Sequence, residues 1–160
     1  MIQRIQTVYL LIASLLIFCL FLFPYVNFAD LVGMGRTVKV SGIYSINAGQ
    51  PVHEWGVTFV LQTILTIILG ILPLYTIFLF KNRKKQLLFV WVTIVALIGL
   101  VIWMYTIASG QLATLQKFLD ASSIGVGFFI VPIAIIFLGL AIGGIRRDQK
   151  LIKSVDRLRS

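Results

Sequence analysis

Residues 56–108 read GVTFVLQTILTIILGILPLYTIFLFKNRKKQLLFVWVTIVALIGLVIWMYTIA, and this stretch decides the fold class. Two uncharged runs, Trp55–Phe80 and Gln86–Gln116, flank the short basic turn KNRKKQ at 81–86. A hydrocarbon core of roughly 30 Å is crossed by about 20 helical residues at about 1.5 Å each, so both runs are long enough to cross it. The stretch therefore predicts two antiparallel membrane-spanning helices joined by a basic turn.

Two more uncharged runs, Ile5–Ala29 and Ala121–Ile145, lie on either side of this pair. A hydrophobic content of 59% and a mean hydropathy of +1.03 lie outside the range of soluble proteins. We predict an all-α membrane protein, a single integral domain over 1–160 with four transmembrane helices. The predicted spans are 7–23, 56–80, 87–108 and 124–145, the outer loops 24–55 and 109–123, the inner turn 81–86, and the cytoplasmic tail 146–160.

The charge distribution predicts the orientation. The chain holds 14 Lys and Arg against 5 Asp and Glu, a net charge of +9. All of these cations except Arg36, Lys39 and Lys117 fall on the side that also carries both termini. The positive-inside rule places that side in the cytoplasm. Because the orientation accounts for the excess of positive charge, we predict no nucleic-acid partner.

The first outer loop contains RTVKVSGIYSI at 36–46. Apolar residues alternate with polar ones on both sides of Ser41-Gly42, which predicts a small β-hairpin in an otherwise helical protein.

The tail RRDQKLIKSVDRLRS at 146–160 has two opposed helical faces at 100° per residue. One face is basic and the other is apolar, and Asp148 lies on the apolar face. We therefore predict a break near the membrane surface, with Asp148 as the N-cap of a separate amphipathic interfacial helix. Its basic face would contact anionic lipid head groups, and the alternative is docking on a cytoplasmic protein.

The predicted spans contain no ionisable residue that would mark a proton or ion path, which argues against a pump or proton-coupled transporter acting alone. A polar cluster of Gln62, Thr63 and Thr66 remains in the second span. These side chains either hydrogen-bond to a neighbouring helix or line a small cavity for a lipid-like molecule.

Gly139 and Gly143 form a GxxxG pair in the fourth span. Small residues at this spacing let another helix approach closely, either within the chain or from another protein.

Evidence for catalysis is weak. His53 adjoins Glu54, but the chain has no second His for a metalloprotease motif, and no nucleophile arrangement or phosphate-binding loop is visible. We predict a protein without catalytic residues, metal or cofactor.

Three stretches, MIQRIQTVYLL at 1–11, LFKNRKKQ at 79–86 and GIRRDQKLIKSVDRLR at 144–159, resemble a family of small bacterial membrane proteins. The family is known only as a domain of unknown function, with four predicted helices and both ends cytoplasmic. The resemblance implies a multi-pass protein of the bacterial inner membrane and supplies no activity. It also suggests a hydrogen-bonded layer at the cytoplasmic face, for which the candidate residues are Arg4, Arg83, Gln86, Asp148, Asp156 and Arg157.

The function that these observations favour is a non-enzymatic accessory subunit or scaffold of a membrane complex. Its expected partners are membrane lipids, including anionic head groups at the inner face, and another membrane protein. The alternative is binding or transport of a lipid-like small molecule between the helices.

Overall fold

The computed structural model describes residues 2–29, 35–47, 50–113 and 121–159, with the side chains of 2–4, 29, 46, 47, 51, 81, 121 and 151–159 outside the described set. Four helices and four strands follow one another, with short 3-10 turns at Leu79–Lys81 and Ala121–Ser123. The elements are α1 (Ile2–Cys19), β1 (Val26–Ala29), β2 (Gly35–Lys39), β3 (Gly42–Asn47), β4 (Gln50–Glu54), α2 (Val57–Phe78), α3 (Arg83–Ala113) and α4 (Val126–Arg159).

Among the described residues, three helical segments are long and apolar enough to cross a membrane: Val57–Phe78, Arg83–Ala113 and Val126–Lys150. The first helix contributes a shorter apolar segment, Ile5–Cys19, in place of the predicted span 7–23. It ends early because Pro24 has no N–H and disfavours helical backbone before it, and the chain leaves through tightened turns such as Leu20 N to Ile17 O at 3.2 Å.

The bundle buries several polar side chains within a largely apolar core and leaves many large apolar side chains exposed. On α2, the side chains of Ile64, Ile68 and Ile71 are about half exposed, whereas Gln62 and Thr66 are fully buried. A helix on the surface of a soluble protein shows the opposite arrangement, because its apolar face packs on the core. This pattern suggests a membrane protein, in which lipid surrounds the apolar faces and polar side chains bond between helices.

The segment between α1 and α2 forms a four-stranded antiparallel sheet in the order β1-β2-β3-β4, which is more extensive than the predicted hairpin. That hairpin is present, since Lys39 pairs with Gly42 across a two-residue turn. Gly42 has φ +147°, and a Cβ there would lie 2.6 Å from His53 Nε2, so both conformation and space favour glycine.

The predicted break before the tail is wrong, because α4 continues without interruption from Val126 to Arg159. Asp148 lies inside this helix, with its side chain buried, and does not act as an N-cap. At 34 residues the helix is about 51 Å long, well over a hydrocarbon core of about 30 Å. The third helix also exceeds its predicted range of 87–108, starting at Arg83 and ending at Ala113.

Helices α1 and α4 pack along their length, and glycines allow the two segments to approach closely at both ends. At the end that carries the sheet, here called the sheet end, Gly125 N and Gly127 N each donate 2.9 Å hydrogen bonds to the backbone at Tyr25 and Pro24. At the opposite end, here called the basic end, a Cβ on Gly144 would lie 2.7 Å from Gln6 Cγ. Bulkier residues at these positions would force the helices apart.

Candidate functional site

A polar cluster joins three helices at the basic end. Asp148 on α4 accepts a 2.8 Å hydrogen bond from Gln6 Nε2 on α1, and Arg83 Nη1 on α3 lies 2.8 Å from the same carboxylate oxygen. Gln6 and Asp148 are buried, and Arg83 is partly buried. We call these three residues the basic-end cluster. Because a buried charge is tolerated only when it is paired and hydrogen-bonded, the cluster fixes the register of α1, α3 and α4.

The turn between α2 and α3 positions Arg83 at the first residue of α3. Asn82 N donates to Leu79 O at 2.9 Å, and Asn82 Oδ1 accepts from Lys85 N at 3.4 Å. Gln86 is buried one turn later, and its Nε2 donates to Thr76 O at 3.4 Å. Of the candidate layer, the structure thus brings Arg83 to Asp148 and gives Gln86 a separate role in joining α2 to α3. The side chains of Arg4, Asp156 and Arg157 lie outside the described set.

Beside the cluster, a groove of about 340 Å³ runs between α1 and α4. Gly139, Leu140 and Gly143 form its α4 wall and are exposed, and the partly buried Gly144 continues that wall toward Arg147. The remaining lining residues are Ile5, Gln6, Tyr9 and Arg147, the last of which is exposed at the basic end. The groove is therefore apolar over most of its length and polar at one end.

The two predicted packing glycines do not bring helices together within the chain. A Cβ on Gly139 or on Gly143 would meet no atom within 4 Å, whereas one on Gly144 would meet Gln6. Gly144 is therefore the glycine that permits close packing of α1 and α4. The bare surface at Gly139 and Gly143 can therefore contact a molecule outside the chain.

The three polar residues predicted to form a cluster on α2 make different contacts. The hydroxyl of Thr63 donates to Val40 O at 3.2 Å and so ties α2 to the sheet, and that of Thr66 donates to Gln62 O at 2.8 Å within the helix. Both amide atoms of Gln62 are buried without a hydrogen-bond partner among the described residues. None of the three lines the groove between α1 and α4.

Tyr25, which sequence reasoning missed, lies beside Gln62 at the junction of sheet and helices. Its side chain is fully buried, and its hydroxyl has no partner with hydrogen-bond geometry among the described residues. Burial raises the pKa of the Tyr25 phenol above its ordinary value, and the neighbouring Gln62 amide opposes that shift. No pattern around PYVNF marks this tyrosine, because its burial depends on how the sheet packs on the bundle.

His53, paired with Tyr44 across the sheet, is a stacking residue. Its ring lies 4.2 Å from that of Tyr44 at an interplanar angle of 14°, and 4.9 Å from that of Trp55 in an edge-to-face arrangement. Within the described ranges, no group of three or more His, Cys, Asp or Glu side chains is placed to hold a metal ion.

These features define a mostly helical protein with three helices of membrane-spanning length, a small antiparallel sheet at one end and a buried polar cluster at the other. The chain belongs to the family described as Domain of unknown function (DUF4293), which matches residues 2–158. The predicted family resemblance is thus confirmed over nearly the whole chain. No curated protein and no solved structure matches it.

Proposed function

We propose that the chain is a non-enzymatic accessory subunit or scaffold of a membrane complex, multi-pass in the bacterial inner membrane with both termini in the cytoplasm. In this proposal the part of α4 beyond Asp148 is the segment that docks on a partner protein. The observation that carries it is the unbroken course of α4 to Arg159, braced at Asp148 by α1 and α3.

The brace makes the end of α4 a projecting arm. Past Asp148, α4 continues for about 16 Å, whereas α1 extends only about 6 Å past Gln6 and α3 begins at Arg83 itself. A helix that continues unbroken past the two neighbours that hold it projects from the bundle and does not turn at a break to lie flat in the headgroup layer. This favours a protein surface over the membrane surface that the sequence suggested first.

The sequence of the arm supports a protein partner. At 100° per residue, Leu151 and Val155 fall on the same helix face as Asp148, which is the face that α4 turns toward the bundle. The arm thus continues the packing face of α4 past the ends of its neighbours. An apolar face flanked by basic residues suits a partner with an apolar groove and an acidic rim.

A matched pair of variants tests the proposal. Val155→Glu places a carboxylate in the centre of the apolar face, and Ser154→Glu makes the same charge change off that face. We expect the wild type and Ser154→Glu to migrate in one assembly of higher mass after gentle solubilisation, and Val155→Glu to migrate alone. A wild type that migrates alone in several mild detergents, or an unchanged Val155→Glu assembly, would contradict the proposal.

A second candidate function is binding or transport of a lipid-like molecule between the helices at Gln62. It is favoured by the burial of the Gln62 amide beside the Tyr25 hydroxyl, where the amide meets the geometry of a hydrogen bond with none of the described residues, since buried polar groups are nearly always paired. Extraction and mass spectrometry of lipids bound to the wild type and to Gln62→Leu would test it. A bound lipid or quinone lost only in the variant would support this candidate, and identical extracts would contradict it.

A further inference from the structure

We infer that the groove between α1 and α4 binds an anionic phospholipid, with the phosphate at Arg147 and the start of one acyl chain over Gly143 and Gly139. This site is separate from the docking arm of the proposed function, because its residues precede Asp148 on α4. Three properties of the groove support this site: its depth in the membrane, its shape and its charge.

The depth of Arg147 matches that of a lipid phosphate. Residues 126–145 of α4 carry no charge and are about 30 Å long, which is the thickness of a hydrocarbon core. Arg147 is the second residue after them, a position that places it at the level of the head groups when this segment spans the membrane. The groove wall formed by Gly143 and Gly139 then extends into the hydrocarbon region.

The size and shape of the groove suit an acyl chain. Its volume is about 340 Å³, at the lower end of small-molecule sites. Gly139 and Gly143 leave the wall without side chains, so an acyl chain lies directly against the α4 backbone.

The charges leave Arg147 available for an anion. Asp148, the nearest acid, is already engaged by Arg83 at 2.8 Å and by Gln6 at 2.8 Å. Arg147 is exposed and makes no ion pair or hydrogen bond among the described residues. A guanidinium binds phosphate through two parallel hydrogen bonds. A zwitterionic lipid should bind less tightly than an anionic one, because the cation of its head group repels the arginine.

The experiment measures lipid binding to the purified full-length chain by native mass spectrometry. Phosphatidylglycerol and phosphatidylcholine with identical acyl chains are titrated separately. We expect the wild type to bind phosphatidylglycerol more tightly and Arg147→Ala to bind it about tenfold less tightly, as loss of a charged hydrogen bond predicts. Arg147→Lys, which keeps the charge, should recover part of the affinity.

Two matched control variants distinguish lipid binding in the groove from general effects of lost charge or added bulk. Arg146→Ala removes the same charge from the adjacent residue, which does not line the groove, and should bind as the wild type does. Gly143→Leu should weaken both lipids by filling the groove, whereas Gly99→Leu, at an equally bare and exposed glycine on α3, should not.

Three results would overturn the inference: equal losses in Arg146→Ala and Arg147→Ala, wild-type binding in Gly143→Leu, or displacement of the lipid by soluble glycerol phosphate. The first would indicate nonspecific attraction to the basic end, the second a different location, and the third a site for free phosphate. Because none of these variants alters the arm beyond Asp148, the assembly measured with Val155→Glu remains an independent test of the proposed function.

Discussion

Arg83 at the start of α3 and Asp148 near the end of the uncharged part of α4 form a 2.8 Å ion pair, with side chains 23% and 8% exposed. The Asp148 carboxylate also accepts a hydrogen bond from Gln6 on α1. A single carboxylate therefore holds three helices in register. This arrangement explains why α4 continues straight past a residue that in sequence resembles a helix cap.

The first prediction concerns this pair. Asp148→Ala leaves the Arg83 guanidinium partly buried without its partner, and Arg83→Ala leaves the carboxylate with only Gln6. We expect each variant to lose about 1–3 kcal/mol of stability, and the double variant to lose much less than the sum. Thermal unfolding of the detergent-solubilised chain measures all three.

The control for that cycle is Arg146→Ala, an exposed cation on the same helix whose loss should change stability by less than about 0.5 kcal/mol. Additive losses from Asp148→Ala and Arg83→Ala would show that the two side chains are not coupled.

The second prediction distinguishes among the glycines of α4. Gly144→Ala places a Cβ 2.7 Å from Gln6 Cγ and so disturbs the residue that binds Asp148. We expect a loss of about 1–3 kcal/mol, as for other overpacked sites. Gly139→Ala meets open space and should be neutral or slightly stabilising, because alanine is the better helix former. Equal melting temperatures for the two variants would contradict this assignment of the packing glycine.

The sequence predicts where the long helices lie along the chain, but it does not predict which face each helix turns toward its neighbours. Three of the four uncharged runs of 25 residues or more form helices of membrane-spanning length, whereas Ile5–Ala29 forms a shorter apolar helix followed by β1. The stretch 56–108 specifies a helical hairpin without reference to the rest of the chain. A GxxxG pattern shows that a bare face exists, but which neighbour it meets depends on how the helix is rotated. That is why Gly144, and not Gly139 or Gly143, contacts α1.

The role of the polar residue Asp148 likewise could not be predicted from the sequence alone. An acid in an apolar arc is consistent with either a cap after a break or a buried pair inside a helix. The second requires a partner from elsewhere in the chain, and Arg83 is separated from Asp148 by the rest of α3 and about two thirds of α4. Tyr25 and Gln62 likewise meet only after the sheet folds onto the bundle.

The third prediction concerns the contact between α1 and α2. Ser14 Oγ donates to Gly70 O at 2.7 Å, next to the Leu69 carbonyl whose helical bond Pro73 removes. A Cβ on Gly70 would lie 2.7 Å from Phe18 Cζ. We expect Gly70→Ala to destabilise the chain by about 1 kcal/mol or more in the wild-type background.

The effect of Gly70→Ala should largely disappear when Phe18→Leu is present, because the shorter side chain no longer reaches the new methyl group. Thermal unfolding of the two single variants and the double variant provides the measurement. If Gly70→Ala lowered the stability equally in the Phe18→Leu background, the Phe18 ring would not determine the distance between α1 and α2.

The last prediction is an alkaline transition at the sheet end. Burial raises the pKa of Tyr25 in the folded chain above its unfolded value of about 10, so the folded state holds its proton more tightly than the unfolded state does. The resulting stability is fully present below pH 10 and is lost progressively as the pH rises above that value. We therefore expect the melting temperature of the wild type to fall above pH 10 and that of Tyr25→Phe to fall less over the same range. Tyr44→Phe, a partly exposed tyrosine on β3, should follow the wild-type curve, and identical slopes for Tyr25→Phe and the wild type would show that the buried phenol does not control the transition.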